Sequence, residues 1–400
     1  MHRTNKKLFA AVTAICCLPA LAGCVALGEE ERSEGRAGAV YTMTNDTHAN
    51  AILAFQRDRS GALTKQGVFF TGGLGSGGRE PDFALANAGA VILNDDASLL
   101  FAVNPGSDDI SVFGVEDDRL SLLDRHPSGG HLPISLALSG NLLYVLNAGG
   151  NLSSGNNDGF RDSINGFRVD SRGRLTSIPG SSRPLSAAVT NPAQIRFNRQ
   201  GSVLVVTERV ANNIDTFLVR NGGLLSDPIV YAAPVLPDPI GATNPFGFDF
   251  DSRGGLFVSD DFNDATGLAA MSSFRIGSDG KLQPASTNVQ VGGESGACWV
   301  KVSADSRFAY LVNAVSSSIS VFRIDPATEK VTHLSKVASP TNPTDIGITR
   351  DNKFLYALNP DETGSAPGIT AYMIDPTTGA LKAIPGITGL PVTVDGLAVR

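Results

Sequence analysis

The sequence predicts an all-β protein, a seven-bladed β-propeller of four-stranded blades whose C-terminal strand closes the first blade. Three observations carry this. A unit made of an apolar strand, an Asn, a polar turn and a second apolar strand recurs along the chain: "LLFAVNPGSDDISVFGV" (99–115) returns as "LLYVLNAGG…SINGFRV", "FAYLVNAVSSSISVFRI" and "FLYALNPDETGSAPGITAYMI". The period is about 50 residues, with Gly/Asp/Asn turns at even spacing, which is how propeller blades read. After residue 38 no stretch sustains a helical apolar period, so almost no helix is expected.

The N-terminus is set aside first. Arg3, Lys6 and Lys7 precede the apolar run "LFAAVTAICCLPALA", which is shorter than the roughly 20 residues of a membrane span. The run ends in Leu21-Ala22-Gly23-Cys24, which resembles a bacterial lipobox. The expectation is a lipoprotein-type signal peptide over 1–23, a lipidated Cys24, a flexible charged tether over 24–38, and the propeller over 39–400. The alternative is ordinary secretion after cleavage near the same site. Either way the mature chain keeps Cys24 and Cys298 alone, so no intrachain disulfide supports the fold. The chain would sit on the extracytoplasmic side of a membrane, as a monomer. A formal charge of −7 without a basic cluster excludes nucleic acid as a partner.

Seven copies of the unit are anchored at Tyr41/Phe55, Phe101/Phe113, Tyr144/Phe167, Val205/Phe217, Phe257/Phe274, Tyr310/Phe322 and Tyr356/Tyr372. Upstream of six copies lies a short strand, as in "PAQIRFNRQG" and "ACWVKVSADS"; downstream lie a turn such as "DSRGRL" and a fourth strand. The first copy lacks its upstream strand, and "VDGLAVR" (394–400) supplies it. Closure of this kind removes exposed sheet edges.

The first strands line the central channel. At one shared position they carry Ile92, Ala137, Arg196, Asp249, Lys301, Gly347 and Ala398; two residues earlier come Gln194, Gly247, Trp299 and Asp345. Charges on buried strands need partners. Arg196, Asp249 and Lys301 therefore form either a structural belt between blades or a polar floor that grips a carboxylate or polarises a carbonyl. The Asn that ends most second strands is replaced by Glu208 and Asp260, which makes Glu208 a candidate general base. The variable loops between blades and between second and third strands place any site on that face.

The repeats "VYTMTNDTHANAILAF", "VVTERVANNIDTF", "PFGFDFD" and "ACWVKVSADSRFAYLVNA" resemble the YVTN-type units of the seven-bladed lactonase family. That family contains 6-phosphogluconolactonases and carboxymuconate-lactonising enzymes, and the resemblance spans about residues 39–400. It implies lactone chemistry without a cofactor, with a small lactone or carboxylate as substrate. The family's His, Arg and Glu group implies His131, Arg196 and Glu208 as catalytic residues; the channel register and the replaced Asn add Lys301, Asp249, Asp260 and Gln194 as substrate-binding candidates. Export argues for an unphosphorylated substrate. The competing reading is a membrane-anchored propeller that binds a protein, peptide or glycan without catalysis.

Other motifs carry less. "GGLGSGG" (72–78) and "GESGA" around Ser295 lack the helix that a phosphate loop or nucleophile elbow opens. His126 and His131 have no third ligand, so no metal site is expected. The insertion 150–162 lacks calcium-loop spacing. Cys298 and Trp299 read as core.

Overall fold

The computed structural model describes residues 36–77, 88–117, 119–149, 160–188, 190–340, 342–360 and 366–400. The signal segment, Cys24, most of the tether and most of the 150–162 insertion lie outside the described residues.

Seven antiparallel sheets form the ring. Blade 1 unites Asp395–Val399 with Arg36–Met43, Ala51–Asp58 and Leu63–Phe70, so the last strand does enter the first blade. Blades 2, 4, 5, 6 and 7 are four-stranded meanders whose first strands are Val91–Leu93, Pro192–Phe197, Pro245–Phe250, Ala297–Val302 and Asp345–Ile348. Blade 3 begins at Pro133–Ser139, and its outer strand is split into Leu175–Ser177 and Arg183–Pro184. The break falls at Pro179-Gly180, where a ladder N–H is missing and the chain turns at Gly180 with φ 73°. A small ribbon, Val235–Leu236 with Gly241–Ala242, decorates the crossing from blade 4 to blade 5. Successive first strands touch all the way round the axis. Two short 3-10 turns, Asn221–Gly223 and Phe262–Asp264, are the helical elements among the described residues. None is long and apolar enough to cross a membrane.

The register matches the sequence alignment of the blades. Ile92, Ala137, Arg196, Asp249, Lys301, Gly347 and Ala398 stand opposite Phe101, Tyr144, Val205, Phe257, Tyr310, Tyr356 and Tyr41. Burial follows the same logic: second strands such as Phe308–Asn313 are buried on both faces, while outer strands such as Val331–Ala338 alternate buried and exposed. The apolar clusters lie between blades. Val205 packs with Phe248 and Val258 toward blade 5, whereas Val206 packs with Leu146 and Ile164 toward blade 3.

Blades share no backbone ladder, so a second device joins them. The second-strand Tyr donates its hydroxyl to a turn carbonyl of the following blade: Tyr144 to Gly223 at 2.8 Å, Tyr310 to Gly379 at 3.1 Å, Tyr356 to Gly61 at 2.7 Å. Where Val205 and Phe257 have no hydroxyl, their cross-strand partners supply one. Thr216 donates to Gly280 at 2.6 Å, and Ser273 to Glu329 at 2.7 Å. Gly379 shows why the turn needs glycine: its φ is 73°, and a Cβ there would come within 2.5 Å of the Phe308 ring.

Removing one such hydroxyl leaves a carbonyl orphaned in a buried setting. Tyr356→Phe is expected to cost about 1–3 kcal/mol, read as a lower midpoint in urea unfolding with an unchanged m-value. An unchanged midpoint would show that the bond does not join the blades.

Candidate functional site

The residues singled out from sequence fall at two levels of the propeller. At the inner level, the first strands use polar side chains to hold the next blade's backbone. Gln194 Oε1 accepts from Phe248 N–H at 2.8 Å, Asp249 Oδ2 from Val302 N–H at 3.0 Å, and Asp345 Oδ2 from Leu397 N–H at 2.8 Å. Asp249 and Asp345 also each accept from the N–H of the following residue, at 2.8 Å and 2.7 Å. Arg196 Nη1 lies 3.3 Å from Asp249 Oδ1. Lys301, part-buried, has no carboxylate within 4.0 Å among the described residues. Burial, then the nearby Arg196 charge, lowers its pKa, against the pull of Asp249 and Asp345. Burial pushes Asp345 up to about 6.

Above this ring sits Trp299. Its indole stacks on Phe246 with centroids 4.6 Å apart and lies over Gly247, where a Cβ would come within 2.6 Å of the ring. It belongs to one buried cluster with Ala193 of blade 4 and Ala88, just ahead of blade 2. At this depth the first-strand positions Ala90, Ser135, Gln194, Trp299 and Asp345 are all buried, which leaves the channel closed to solvent here. Its Nε1–H finds no acceptor among the described residues.

The outer level is the face of the variable loops. Here the end of each second strand meets the third strand in a polar slot. In blades 2 and 6 the slot is an amide against a hydroxyl: Asn104 donates to Ser111, and Asn313 to Ser320, both at 2.8 Å. In blade 7 Thr370 donates to Asn359 at 2.8 Å. Blade 5 substitutes Asp260, which accepts from Ser272 at 2.6 Å and is pushed up to about 7 by burial. Blade 4 substitutes both partners, Glu208 and Asp215, and so places two buried carboxyls in one slot. Burial, then the charge of Glu208, pushes Asp215 up to about 8. Glu208 is fully buried under Ser186, whose N–H donates to its Oε1 at 2.9 Å and whose hydroxyl donates to Oε2.

Arg196 and Glu208 do not meet. Arg196 shares a face of blade 4 with its partner Val205, the face toward blade 5. Glu208 is three residues on from Val205, hence on the opposite face and about 10 Å nearer the loops.

His131 gains a partner that the sequence did not announce. Its Nδ1 lies 2.6 Å from Asp108 Oδ2, and Asp108 Oδ1 accepts from Leu132 N–H at 2.8 Å. With Nδ1–H donating to the carboxylate, Nε2 carries the free lone pair. Phe160 stacks on the imidazole, centroids 4.4 Å apart. Asp108 and Leu132 both hold left-handed backbone, φ 57° and 54°, a strain that tends to gather at functional sites. The side chain is 33% exposed, so a small molecule can reach it.

Ser295 spends its hydroxyl on Gly267 N–H at 2.8 Å, and burial raises the Cys298 thiol well above its ordinary range; neither is a nucleophile here. No group of three or more His, Cys, Asp or Glu among the described residues is arranged to hold a metal ion.

The buried Asp215 carboxyl makes stability pH-dependent. A carboxyl that holds its proton more tightly when folded contributes fully below the ordinary value of 3.8, and that contribution fades as pH rises toward about 8. Asp215→Asn restores an amide to the slot. Its stability relative to the parent is expected to grow between pH 5 and pH 8 by up to about 1.4 kcal/mol per unit, measured by urea unfolding at each pH. A pH-independent difference would contradict the raised Asp215 carboxyl.

Comparison with solved structures returns the same architecture. A putative 6-phosphogluconolactonase from Bacteroides fragilis superposes with a TM-score of 0.68 at 17% identity, covering 91% of this chain and 98% of that one. A periplasmic gluconolactonase from Pseudomonas aeruginosa gives 0.67 at 16% identity, covering 90% and 98%. A hypothetical selenium-binding protein from Sulfolobus tokodaii gives 0.65 at 11% identity, covering 91% and 94%, so the likeness speaks for the fold alone. No curated protein matches the chain by sequence. Residues 271–394 match the family model described as "Lactonase, 7-bladed beta-propeller", and the chain is thus similar to the lactonase family that its repeats resemble.

Proposed function

We propose that the chain opens a lactone ring, or closes one in the reverse direction, on its loop face, with His131 as the proton-transfer group. The observation that carries this reading is the His131–Asp108 pair, oriented by Leu132 N–H and with the imidazole side chain 33% exposed. His131 Nε2 takes a proton from water as its oxygen attacks the lactone carbonyl carbon. The ring C–O bond breaks, and the imidazolium returns the proton to the departing ring oxygen, leaving a hydroxycarboxylic acid. Asp108 stabilises the imidazolium between the two transfers. The chemistry calls on no cofactor.

The N-terminal "LAGC" supports export and lipid anchoring through Cys24. An exported enzyme meets few phosphorylated sugars, which favours an unphosphorylated sugar or aromatic-derived lactone. Glu208 is the alternative base, and takes that role only if the strap carrying Ser186 lifts. A second reading, a non-catalytic propeller that binds a protein, peptide or glycan, is favoured by one observation: Arg196 and Glu208 stand on opposite faces of blade 4.

A pH-stat assay over sugar, aliphatic and aromatic lactones tests these readings. His131→Gln and Asp108→Asn are expected to lose about 10²- to 10⁴-fold in kcat, with Glu208→Gln close to the parent. Loss in Glu208→Gln alone would move the base to Glu208. Absence of turnover across the panel would favour the binding reading.

A further inference from the structure

The charged ring below Trp299 has more donors than its own acceptors can use. The carboxylates of Asp249 and Asp345 are pinned by two backbone N–H groups each, one of them in the next blade, so they cannot swing to follow a cation. Arg196 spends a single nitrogen on Asp249, and its side chain is 42% exposed. Lys301 has no ion pair within 4.0 Å among the described residues, although it occupies the same register position two blades away. Most of a guanidinium fork and a whole ammonium therefore face the channel unspent.

The access route follows from Trp299. It is fully buried and lies two residues, about 7 Å, nearer the variable loops than Lys301. Solvent that reaches Arg196 must enter through the opposite mouth, the one bounded by the short turns. The chamber is thus separated from His131 by the indole.

We propose that Arg196 and Lys301 form a binding site for a small carboxylate in the channel, entered from the short-turn mouth and independent of the loop-face chemistry. Arg196 matches a carboxylate through its planar fork, and Lys301 adds a point charge from the side. Desolvation by the surrounding strands strengthens both contacts relative to water. The pinned Asp249 and Asp345 keep the ring near neutrality when it is empty, which favours a singly or doubly charged ligand over a highly charged one.

The test is isothermal titration of the purified chain with malonate and acetate at constant ionic strength, with chloride as the control salt. Saturable malonate binding is expected, weakened at least tenfold in Arg196→Ala and in Lys301→Met, and unchanged in His131→Gln. Lys301 leaves no carboxylate unpaired when it is replaced, so Lys301→Met should stay folded, checked by circular dichroism, even where Arg196→Ala does not. No saturable binding, or binding that survives Lys301→Met, would overturn the proposal. Binding lost only in His131→Gln would also overturn it, because the carboxylate would then sit on the loop face.

Discussion

A ring of wedges has no continuous backbone ladder, and everything in this protein depends on how each blade grips the next. The grip is polar as well as apolar. Outside, a hydroxyl reaches a turn carbonyl of the following blade, from Tyr144, Tyr310 and Tyr356 or, where Val205 and Phe257 take the tyrosine's place, from Thr216 and Ser273. Inside, Gln194, Asp249 and Asp345 accept backbone N–H groups of the following first strand. These bonds fix the angle between blades in a way that Val, Leu and Ile packing, which has no direction, does not. The last strand completes the circuit by pairing Ala398 with Tyr41.

That constraint decides what the channel residues are free to do. Asp249 reads from sequence as the middle of a charge belt or as part of a floor for substrate. It is a clasp between blades 5 and 6 whose remaining capacity meets Arg196. Gln194 is likewise a clasp between blades 4 and 5. The cations are the groups left over, and Trp299 separates them from the variable loops along the channel. The molecule thus has two separate polar regions, and His131 with Asp108 belongs to the one whose loops vary.

The fold was legible because its signals are local and repeated. The anchor aromatics, the turns and the C-terminal strand each sit within one blade's length of sequence, and the alignment of first strands predicted the observed register. The site was legible only in part. Glu208 stood out because it breaks a repeated Asn, but its partner Asp215 matters only once strand pairing sets it two residues past Asn213. Asp108 and His131 lie in different loops, and nothing in either segment announces that they meet. Trp299 read as core, yet its meaning comes from Gly247, the small residue at the same depth in the neighbouring blade that gives the indole its space.

The separation of the two regions rests on Trp299, the sole tryptophan of the chain, which makes it directly observable. The decisive measurement is its fluorescence in the native protein, with acrylamide as quencher. A sealed channel predicts blue-shifted emission and quenching that becomes efficient only on unfolding. Red-shifted emission with efficient quenching in the native state would mean an open channel, and would join the two regions that this structure keeps apart.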